Sequence, residues 1–265
     1  MRLMIALLMM VAAGPALACG PDSDCKVGER TYRLYVPADA GQPMGALFYA
    51  HGYRGSAAGA MRNKALRRLA DDLGMALVAL KSRGDDWNLA HRPSAPQQGE
   101  AAEFAYVAAV LRDLASHMHL DSTKLVFSGF SAGGMMTWTM ACGMSESFAG
   151  FVPMSGTFWA PVPQSCPTPA ANLVHLHGTQ DGTVPLTGRT IGPARQGDVH
   201  RALAMYAAHG NFTETAQGVP APDGMRCTQS RNPGGKLLEF CTFDGGHGFS
   251  TRRLRHGVER VLGGS

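Results

Sequence analysis

Residues 124–134 read Lys-Leu-Val-Phe-Ser-Gly-Phe-Ser-Ala-Gly-Gly, a short apolar run that leads directly into a Gly-x-Ser-x-Gly pentapeptide centred on Ser131. An apolar segment with helical character follows at 135–141. A serine on a tight turn between a strand and a helix has its hydroxyl pushed out of the sheet, where a histidine can deprotonate it. The flanking glycines permit the strained backbone of such a turn. The competing interpretation is a glycine-rich turn with an incidental serine, because the chain contains 33 glycines.

The hydrophobic pattern on both sides of this turn alternates between short apolar runs and longer segments of helical spacing. Strands are predicted at 32–36 (as an edge strand), 46–50, 76–80, 125–128, 150–154, 173–176 and 237–242, and helices at 58–73, 98–117 and 251–262. Such alternation indicates βαβ units, and continuous apolar strands indicate a sheet covered on both faces. We therefore predict an α/β fold with a mainly parallel central sheet, flanked by helices and binding its ligand at the carboxyl ends of the strands.

The first eighteen residues have the pattern of an export signal. A basic start is followed by the apolar run 3–13 and by Ala-Leu-Ala at 16–18, which predicts a removed signal peptide over residues 1–18. The apolar run is shorter than the roughly 20 residues that a membrane-spanning helix needs. We expect residues 19–265 to form a single catalytic domain of a secreted or periplasmic protein. Lipoprotein anchoring through Cys19 is the alternative, although Ala-Leu-Ala is a poor lipobox.

Six cysteines, an even number behind an export signal, predict three disulfides in an oxidising compartment. Six cysteines allow 15 pairings, and the sequence alone does not choose among them. Nearest-neighbour pairing is the simplest hypothesis: Cys19–Cys25, Cys142–Cys166 and Cys227–Cys241. The paired C-x-x-C spacings of a zinc site do not occur, so we expect no metal and no cofactor.

Composition and charge bound the kinds of partner. Hydrophobic residues make up 45% of the chain and charged residues 17%, which is typical of a globular protein. The formal net charge of +4 is mild and scattered, and this argues against a nucleic-acid partner. No stretch after the signal is long and apolar enough for stable membrane insertion. The oligomeric state is left open.

Two later segments offer an acid and a base for Ser131. An activated serine needs a base, and the base needs an orienting acid, in the chain order serine, acid, histidine for this architecture. Asp181 lies in the turn 177–185 after a predicted strand, and His247 lies in the glycine-rich loop 244–249 after the last one. Taken singly, they are also consistent with an ordinary turn aspartate and a surface histidine. Their joint occurrence in this order favours a catalytic set.

Backbone N–H donors for an oxyanion are expected from two turns. Ala132 follows the serine directly, and Tyr53 lies in the segment His51-Gly52-Tyr53-Arg54-Gly55 after a predicted strand. Trp87 and Trp159 are predicted on loops above the site, where they either line a substrate pocket or pack the loops.

His175 and His177 face one side of a predicted strand. We interpret them as histidines that support the core or a loop, since no third metal ligand accompanies them.

These segments together resemble the secreted polyhydroxybutyrate-depolymerase and feruloyl-esterase group of α/β-hydrolases. The shared motifs are a cysteine before a Tyr-Arg-x-Tyr-x-Pro strand (25–37), His-Gly-Tyr (51–53), Gly-Phe-Ser-x-Gly-Gly-Met (129–135), His-Gly-x-x-Asp-x-x-Val-Pro (177–185) and Gly-Gly-His (245–247). The resemblance implies the α/β-hydrolase fold. It also implies Ser131 as nucleophile, Asp181 as acid and His247 as base, with Tyr53 and Ala132 supplying the oxyanion hole.

The leading functional hypothesis is a secreted serine esterase that works through an acyl-enzyme on Ser131. Its substrate is expected to be a small-molecule or oligomeric ester: a short hydroxyalkanoate oligomer, a feruloyl ester or another small acyl ester. Two alternatives stay open, a serine peptidase of the same fold and a non-catalytic binding module. The joint presence of serine, acid and histidine argues against the module, which has no need for all three.

Overall fold

Strands and helices alternate over most of the chain, as the hydrophobic pattern predicted. The computed structural model describes residues 19–94 and 99–263, so the predicted signal peptide at 1–18 lies outside the described residues. The strands are β1 (Cys25–Val27), β2 (Arg30–Tyr35), β3 (Met44–Ala50), β4 (Met75–Leu80), β5 (Leu120–Phe130), β6 (Gly150–Met154), β7 (Asn172–Gly178), β8 (Thr190–Ile191), β9 (Ala194–Arg195), β10 (Thr213–Ala221), β11 (Met225–Arg231) and β12 (Leu237–Phe243). The helices are α1 (Ala57–Arg62), α2 (Lys64–Leu73), α3 (Ala101–His117), α4 (Ala132–Gly143), α5 (Val199–Gly210) and α6 (Thr251–Val261).

Ten of the strands form one sheet in the order β1-β2-β4-β3-β5-β6-β7-β12-β11-β10. The six central strands, from β4 to β12 in this order, pair in parallel. Antiparallel strands complete both ends of the sheet. The predicted mainly parallel sheet is therefore confirmed. The predicted edge position of residues 32–36 is wrong, because β1 pairs with the outer side of β2.

Two buried apolar layers cover the two faces of the sheet. Successive strand residues point to opposite faces, so Phe48 and Phe127 lie in one layer while Leu47 and Val126 lie in the other. Helices α3, α4 and α5 contribute to the first layer, and α1, α2 and α6 to the second. Helix α4 is buried from Ala132 to Cys142, which explains why it is apolar on all sides.

The parallel strands end at one edge of the sheet. Ala50 of β3 pairs with Leu80 of β4 and Gly129 of β5, and Phe130 pairs with Met154 of β6. At the other end of the parallel set, β7 and β12 finish on the same edge. Loops that follow these strands therefore meet above one line of strand ends, as predicted for the ligand site.

The predicted helix at 58–73 is divided in two. Asn63 separates α1 from α2, and its side-chain oxygen accepts hydrogen bonds from the N–H groups of Ala65 and Leu66. Asparagine is a favoured residue at a helix start for this reason, so a second helix begins where the apolar spacing alone suggested continuity. No helix among the described residues is long and apolar enough to span a bilayer.

Three disulfides join the cysteine pairs predicted from the sequence. They link Cys19 to Cys25, Cys142 to Cys166 and Cys227 to Cys241. The last pair lies directly across β11 and β12, since Cys227 and Cys241 are register partners. It therefore ties the antiparallel extension of the sheet to the final parallel strand.

Candidate active site

Ser131 occupies a sharp turn between β5 and α4. Its backbone has φ +59° and ψ −120°, a strained conformation for a residue other than glycine, and its N–H donates to the Met154 carbonyl at 2.9 Å. Glycine is required on the helix side of this turn, because a Cβ atom on Gly133 would lie 1.9 Å from the Ala50 carbonyl oxygen. The predicted strand-turn-helix context of the Gly-x-Ser-x-Gly motif is thus present.

Asp181 and His247 form a hydrogen-bonded pair. The Nδ1 atom of His247 lies 2.7 Å from Oδ2 of Asp181, and the Asp181 side chain is fully buried. The other carboxylate oxygen accepts backbone N–H groups from Thr183 at 2.9 Å and Val184 at 2.8 Å. Because the carboxylate can only accept, Nδ1 of His247 carries the proton and Nε2 is left as the basic atom.

The pKa of the Asp181 carboxyl is lowered from its ordinary value. Burial acts to raise this pKa, but hydrogen bonds from His247 and the Val184 N–H, together with the electrostatic influence of His247 and His177, outweigh burial. The acid is therefore ionised at neutral pH, as an orienting carboxylate must be.

His247 lies beside the turn that carries the serine. Its ring centroid is 4.6 Å from that of Phe130, the residue before Ser131. Within the described part of the chain, the His247 ring makes a hydrogen bond to Asp181 and none to the Ser131 hydroxyl. Catalytic hydrogen bonds of this kind are often long without substrate and tighten when it binds.

A cavity of about 340 Å³ opens over Ser131, and we call it the Ser131 cavity. Its lining is a mixture of apolar and polar side chains: Tyr53, Asp86, Pro93, Ser94, Ala132, Met135, Trp159, Thr183, Val184, Arg189, Ile191 and Gln196. The segment around Trp159 is fixed to the β8–β9 hairpin by a bridge to Gln196 and by the Ala160 N–H, which donates to the Arg195 carbonyl at 2.7 Å. The sequence-predicted Trp159 therefore lies at this cavity, on a backbone that is held in place.

The two predicted oxyanion donors also meet at the Ser131 cavity. Tyr53 and Ala132 both line it, and their backbone N–H groups donate to no other group in the described residues. His51 braces the first of these turns: its Nε2 accepts the Ser82 N–H at 3.2 Å, so Nδ1 carries a proton and donates to the Gly52 carbonyl at 2.8 Å. Both residues predicted to supply oxyanion donors therefore border the same cavity as Ser131.

Trp87 does not lie where the sequence suggested. Its side chain is completely buried, and the indole N–H donates to the His51 carbonyl at 2.8 Å while the ring packs on the His51 imidazole. The expected contact of Trp87 with substrate is therefore wrong. A tryptophan in a predicted loop can turn either toward a cavity or under its own loop, and here the partner for its N–H lies underneath.

Sequence reasoning found only part of the buried cluster beneath the turn that holds Asp181. Trp138, His175 and His177 are all fully buried and hydrogen-bonded to one another, and His177 reaches the Asp181 turn. The two histidines support the core, as their interpretation from sequence proposed. The contribution of Trp138 had no sequence signal, because its helix is apolar on every face.

One group of possible metal ligands occurs among the described residues, and it lies apart from the Ser131 cavity. It comprises Cys227, Glu239, Cys241 and His256. Both sulfur atoms belong to one disulfide, so neither is a thiolate. The Glu239 carboxylate is instead bonded to His256 at 2.9 Å and to Arg260 at 2.8 Å, which makes the group a buried ion cluster that ties α6 to β12.

Similarity to known sequences covers the central part of the chain. Residues 85–192 match the family described as Phospholipase/Carboxylesterase, a stretch that includes Ser131 and Asp181 and ends before His247. A protein of Nocardia uniformis subsp. tsuyamanensis that carries the name esterase NocK is 28% identical over 170 residues, or 62% of this chain and 49% of that protein. A protein of Aspergillus clavatus named as feruloyl esterase C is 24% identical over 149 residues, or 55% of this chain and 49% of that protein. The chain thus spans about half the length of both relatives.

Similarity to solved structures covers nearly the whole chain. An acetyl xylan esterase from Aspergillus awamori superposes with a TM-score of 0.65 at 15% identity, covering 94% of this chain and 97% of that one. At this level of identity the likeness is one of fold. Together with the sheet described above, it confirms the α/β-hydrolase fold that the sequence motifs implied.

Proposed function

We propose that this chain is an exported serine hydrolase of carboxylic esters, with Ser131, His247 and Asp181 as its catalytic residues. The observation that carries the proposal is the 2.7 Å hydrogen bond between Asp181 and His247 at the strand edge where Ser131 occupies its sharp turn. The similarity to the Phospholipase/Carboxylesterase family and to proteins named as esterases supports the same reaction class.

The proposed reaction proceeds in two acyl transfers. The Ser131 oxygen attacks the ester carbonyl carbon while Nε2 of His247 takes the hydroxyl proton, and Asp181 stabilises the resulting imidazolium. The tetrahedral oxyanion accepts the N–H groups of Tyr53 and Ala132. Collapse breaks the bond to the alcohol, which leaves with the proton from His247, and the acyl group stays on Ser131. Water, deprotonated by His247, then attacks the acyl-enzyme and releases the acid.

The Ser131 cavity favours small esters. Its volume of about 340 Å³ lies near the lower end of the range of small-molecule sites, and Trp159, Met135 and Val184 provide an apolar wall for an acyl or aromatic group. We therefore propose short acyl, feruloyl or short hydroxyalkanoate esters as substrates. The predicted signal peptide and the three disulfides support export of the protein.

The test uses the mature chain and a panel of esters: p-nitrophenyl acetate and butyrate, methyl ferulate, a hydroxybutyrate dimer and acetylated xylan. A peptide p-nitroanilide serves as the peptidase arm. We expect turnover of at least one small ester and covalent capture of a fluorophosphonate, and both are lost in Ser131→Ala. Ser116→Ala, an exposed serine at the end of α3, is the matched control and keeps both. Capture that persists in Ser131→Ala, or turnover of the peptide alone, contradicts the proposal.

A further inference from the structure

A continuous line of buried hydrogen bonds runs from the helix that follows Ser131 to the turn that holds Asp181. The Nε1 atom of Trp138 on α4 lies 3.1 Å from Nδ1 of His175, and Nε2 of His175 lies 2.9 Å from Nδ1 of His177. Nε2 of His177 lies 2.8 Å from the Val184 carbonyl oxygen and 3.5 Å from Oδ2 of Asp181. We call Trp138, His175 and His177 the buried relay.

The chemistry of the first member fixes the proton positions of the other two. An indole N–H can only donate, so Nδ1 of His175 accepts and its proton is on Nε2. That N–H donates to Nδ1 of His177, so the proton of His177 is also on Nε2. It therefore points at the Val184 carbonyl and the Asp181 carboxylate, both of which can only accept. The opposite tautomer of His177 would set a nitrogen lone pair against these two oxygens.

Both histidines are neutral in this environment. Burial is the main cause that lowers the pKa of His175, and the neighbouring His177 and His200 lower it further. Burial also lowers the pKa of His177 and prevails over the Val184 carbonyl and Asp181, which act to raise it, while His247 and His200 act in the same direction as burial. With neither ring charged at neutral pH, the hydrogen-bonding direction of the relay is set by the indole N–H of Trp138.

We propose that His177 is a positioning residue for Asp181: the relay from Trp138 selects the tautomer whose N–H donates to the carbonyl of Val184, the residue whose own N–H donates to the Asp181 carboxylate. This role rests on the proposed function of Asp181 as the orienting acid. The hydrogen bond to Val184 fixes the turn that holds the carboxylate, and the same N–H, 3.5 Å from Oδ2 of Asp181, disperses part of its charge without adding a second charge. A charged donor at this place would instead compete with His247 for the carboxylate.

The tautomers are measured first, by long-range proton–nitrogen correlation on the full chain with nitrogen-15-labelled histidine. We expect His175 and His177 to carry the proton on Nε2 and to be neutral at pH 7 to 8. In Trp138→Phe the donor is lost, so His175 and His177 are expected to show a mixture of tautomers. Tyr206→Phe is the matched control: its ring packs 5.8 Å from Trp138, but its hydroxyl bonds to Ala171, and the relay keeps its tautomers.

Kinetics then separates positioning from packing. His177→Gln retains an amide N–H near the position of Nε2, whereas His177→Leu removes the donor. We expect kcat for the best ester to fall about tenfold in the leucine variant with KM unchanged, and the glutamine variant to recover most of the loss. We also expect the acidic limb of the pH–rate profile to move to higher pH in the leucine variant, because a carboxylate without this N–H dipole beside it favours the imidazolium at His247. Trp138→Phe serves the same comparison if His177→Leu does not fold.

Two results overturn the proposal. The proposal fails if His175 or His177 carries its proton on Nδ1 at neutral pH, or if either ring is charged there. The proposal also fails if the leucine and glutamine variants lose kcat equally and the acidic limb of the pH–rate profile does not move. His177 would then act only through packing. If the unaltered protein hydrolyses no ester, the proposed function fails, and the tautomers alone then decide whether the relay exists.

Discussion

At the scale of single residues, a substitution of Asp181 tests whether a loss of activity comes from the chemical step or from substrate binding. In Asp181→Asn an amide nitrogen can turn toward Nδ1 of His247 and favour the tautomer that cannot accept the serine proton. We expect kcat to fall about a thousandfold or more while KM changes little. Steady-state kinetics on the best ester checks this, with Asp86→Asn, a second carboxylate at the Ser131 cavity, as the comparison. A loss below tenfold would mean that Asp181 does not orient the base.

Glu239 provides a pH-dependent contribution to stability. Burial acts to raise its pKa, but hydrogen bonds from His256 and Arg260 lower it overall. A carboxyl with a lowered pKa stabilises the fold above its unfolded value of about 4.3, and this contribution is lost as the pH falls through the folded value. We expect Glu239→Gln to lower the free energy of unfolding by about 3 kcal/mol at pH 7, because it leaves Arg260 with a neutral partner.

The measurement for Glu239 is urea unfolding at pH 7 and near pH 3. The difference in unfolding free energy between Glu239→Gln and the unaltered protein is expected to be smaller at the acidic pH, because protonation of the glutamate removes the charge that the glutamine also lacks. Glu259→Gln, an exposed acid on the same helix, is the control and has little effect at either pH. A difference that stays constant with pH would assign the loss to packing.

At the same scale, the sequence identified residues whose chemistry requires a local pattern. Ser131 needs small residues around its turn, and Asp181 and His247 each follow a strand, so all three leave a trace in the chain. Trp138 and Trp87 leave none, because the direction of a buried indole N–H depends on partners far away in sequence. The first was overlooked for this reason, and for the second the sequence left open whether it lines a pocket or packs its loop.

At the scale of elements, Trp159 separates two cavities. It lines the Ser131 cavity and also a second cavity of about 400 Å³ whose walls include Phe104, Phe158 and Val162. Trp159→Ala is expected to open one space into the other, so that longer acyl chains gain in kcat/KM relative to acetate. A series of p-nitrophenyl esters from acetate to decanoate measures this preference.

Trp87→Ala is the matched variant for that series. Because Trp87 is buried under its loop, its loss should destabilise the fold by about 3–5 kcal/mol. It should also lower kcat/KM by the same factor for every ester of the series. If Trp159→Ala also lowers kcat/KM by the same factor for every ester, Trp159 supports the loops and does not select the acyl group.

Elements with an apolar pattern were predictable, and elements without one were not. Strands β3, β4 and β6 are buried on both faces and appear in the sequence as runs without charged residues. By contrast, most residues of β10 are exposed, and the strand is held by its pairing with β11, for which the local sequence gives no signal. Helix α5 did have a signal: Asp198 caps its start, and Val199, Ala202 and Tyr206 bury one face.

At the scale of the whole molecule, the three disulfides are expected to differ in importance. The Cys227–Cys241 bond joins β11 to β12, the strand that leads into the His247 loop, whereas Cys19–Cys25 lies at the outer edge of the sheet. Replacing Cys227 and Cys241 by alanine is expected to cost about 3 kcal/mol and to lower kcat as well.

Replacing Cys19 and Cys25 should lower stability with kcat preserved. Thermal unfolding measures the stability of the two double variants, and ester kinetics measures their kcat values. Equal kcat values in both would mean that the β11–β12 bond braces the fold and not the base.

The parallel pairing of β12 with β7 has a consequence for how activity arises during synthesis. Asp181 and His247 are 66 residues apart in the chain, and His247 follows β12, the last of the described strands in chain order. A nascent chain that has already folded the turn around Ser131 therefore holds the proposed nucleophile without the proposed base, and we expect it to be inactive until translation has passed β12. Such long-range closure is slow. For the exported hydrolase proposed above, we expect this late assembly to protect the esters of the cell that makes it.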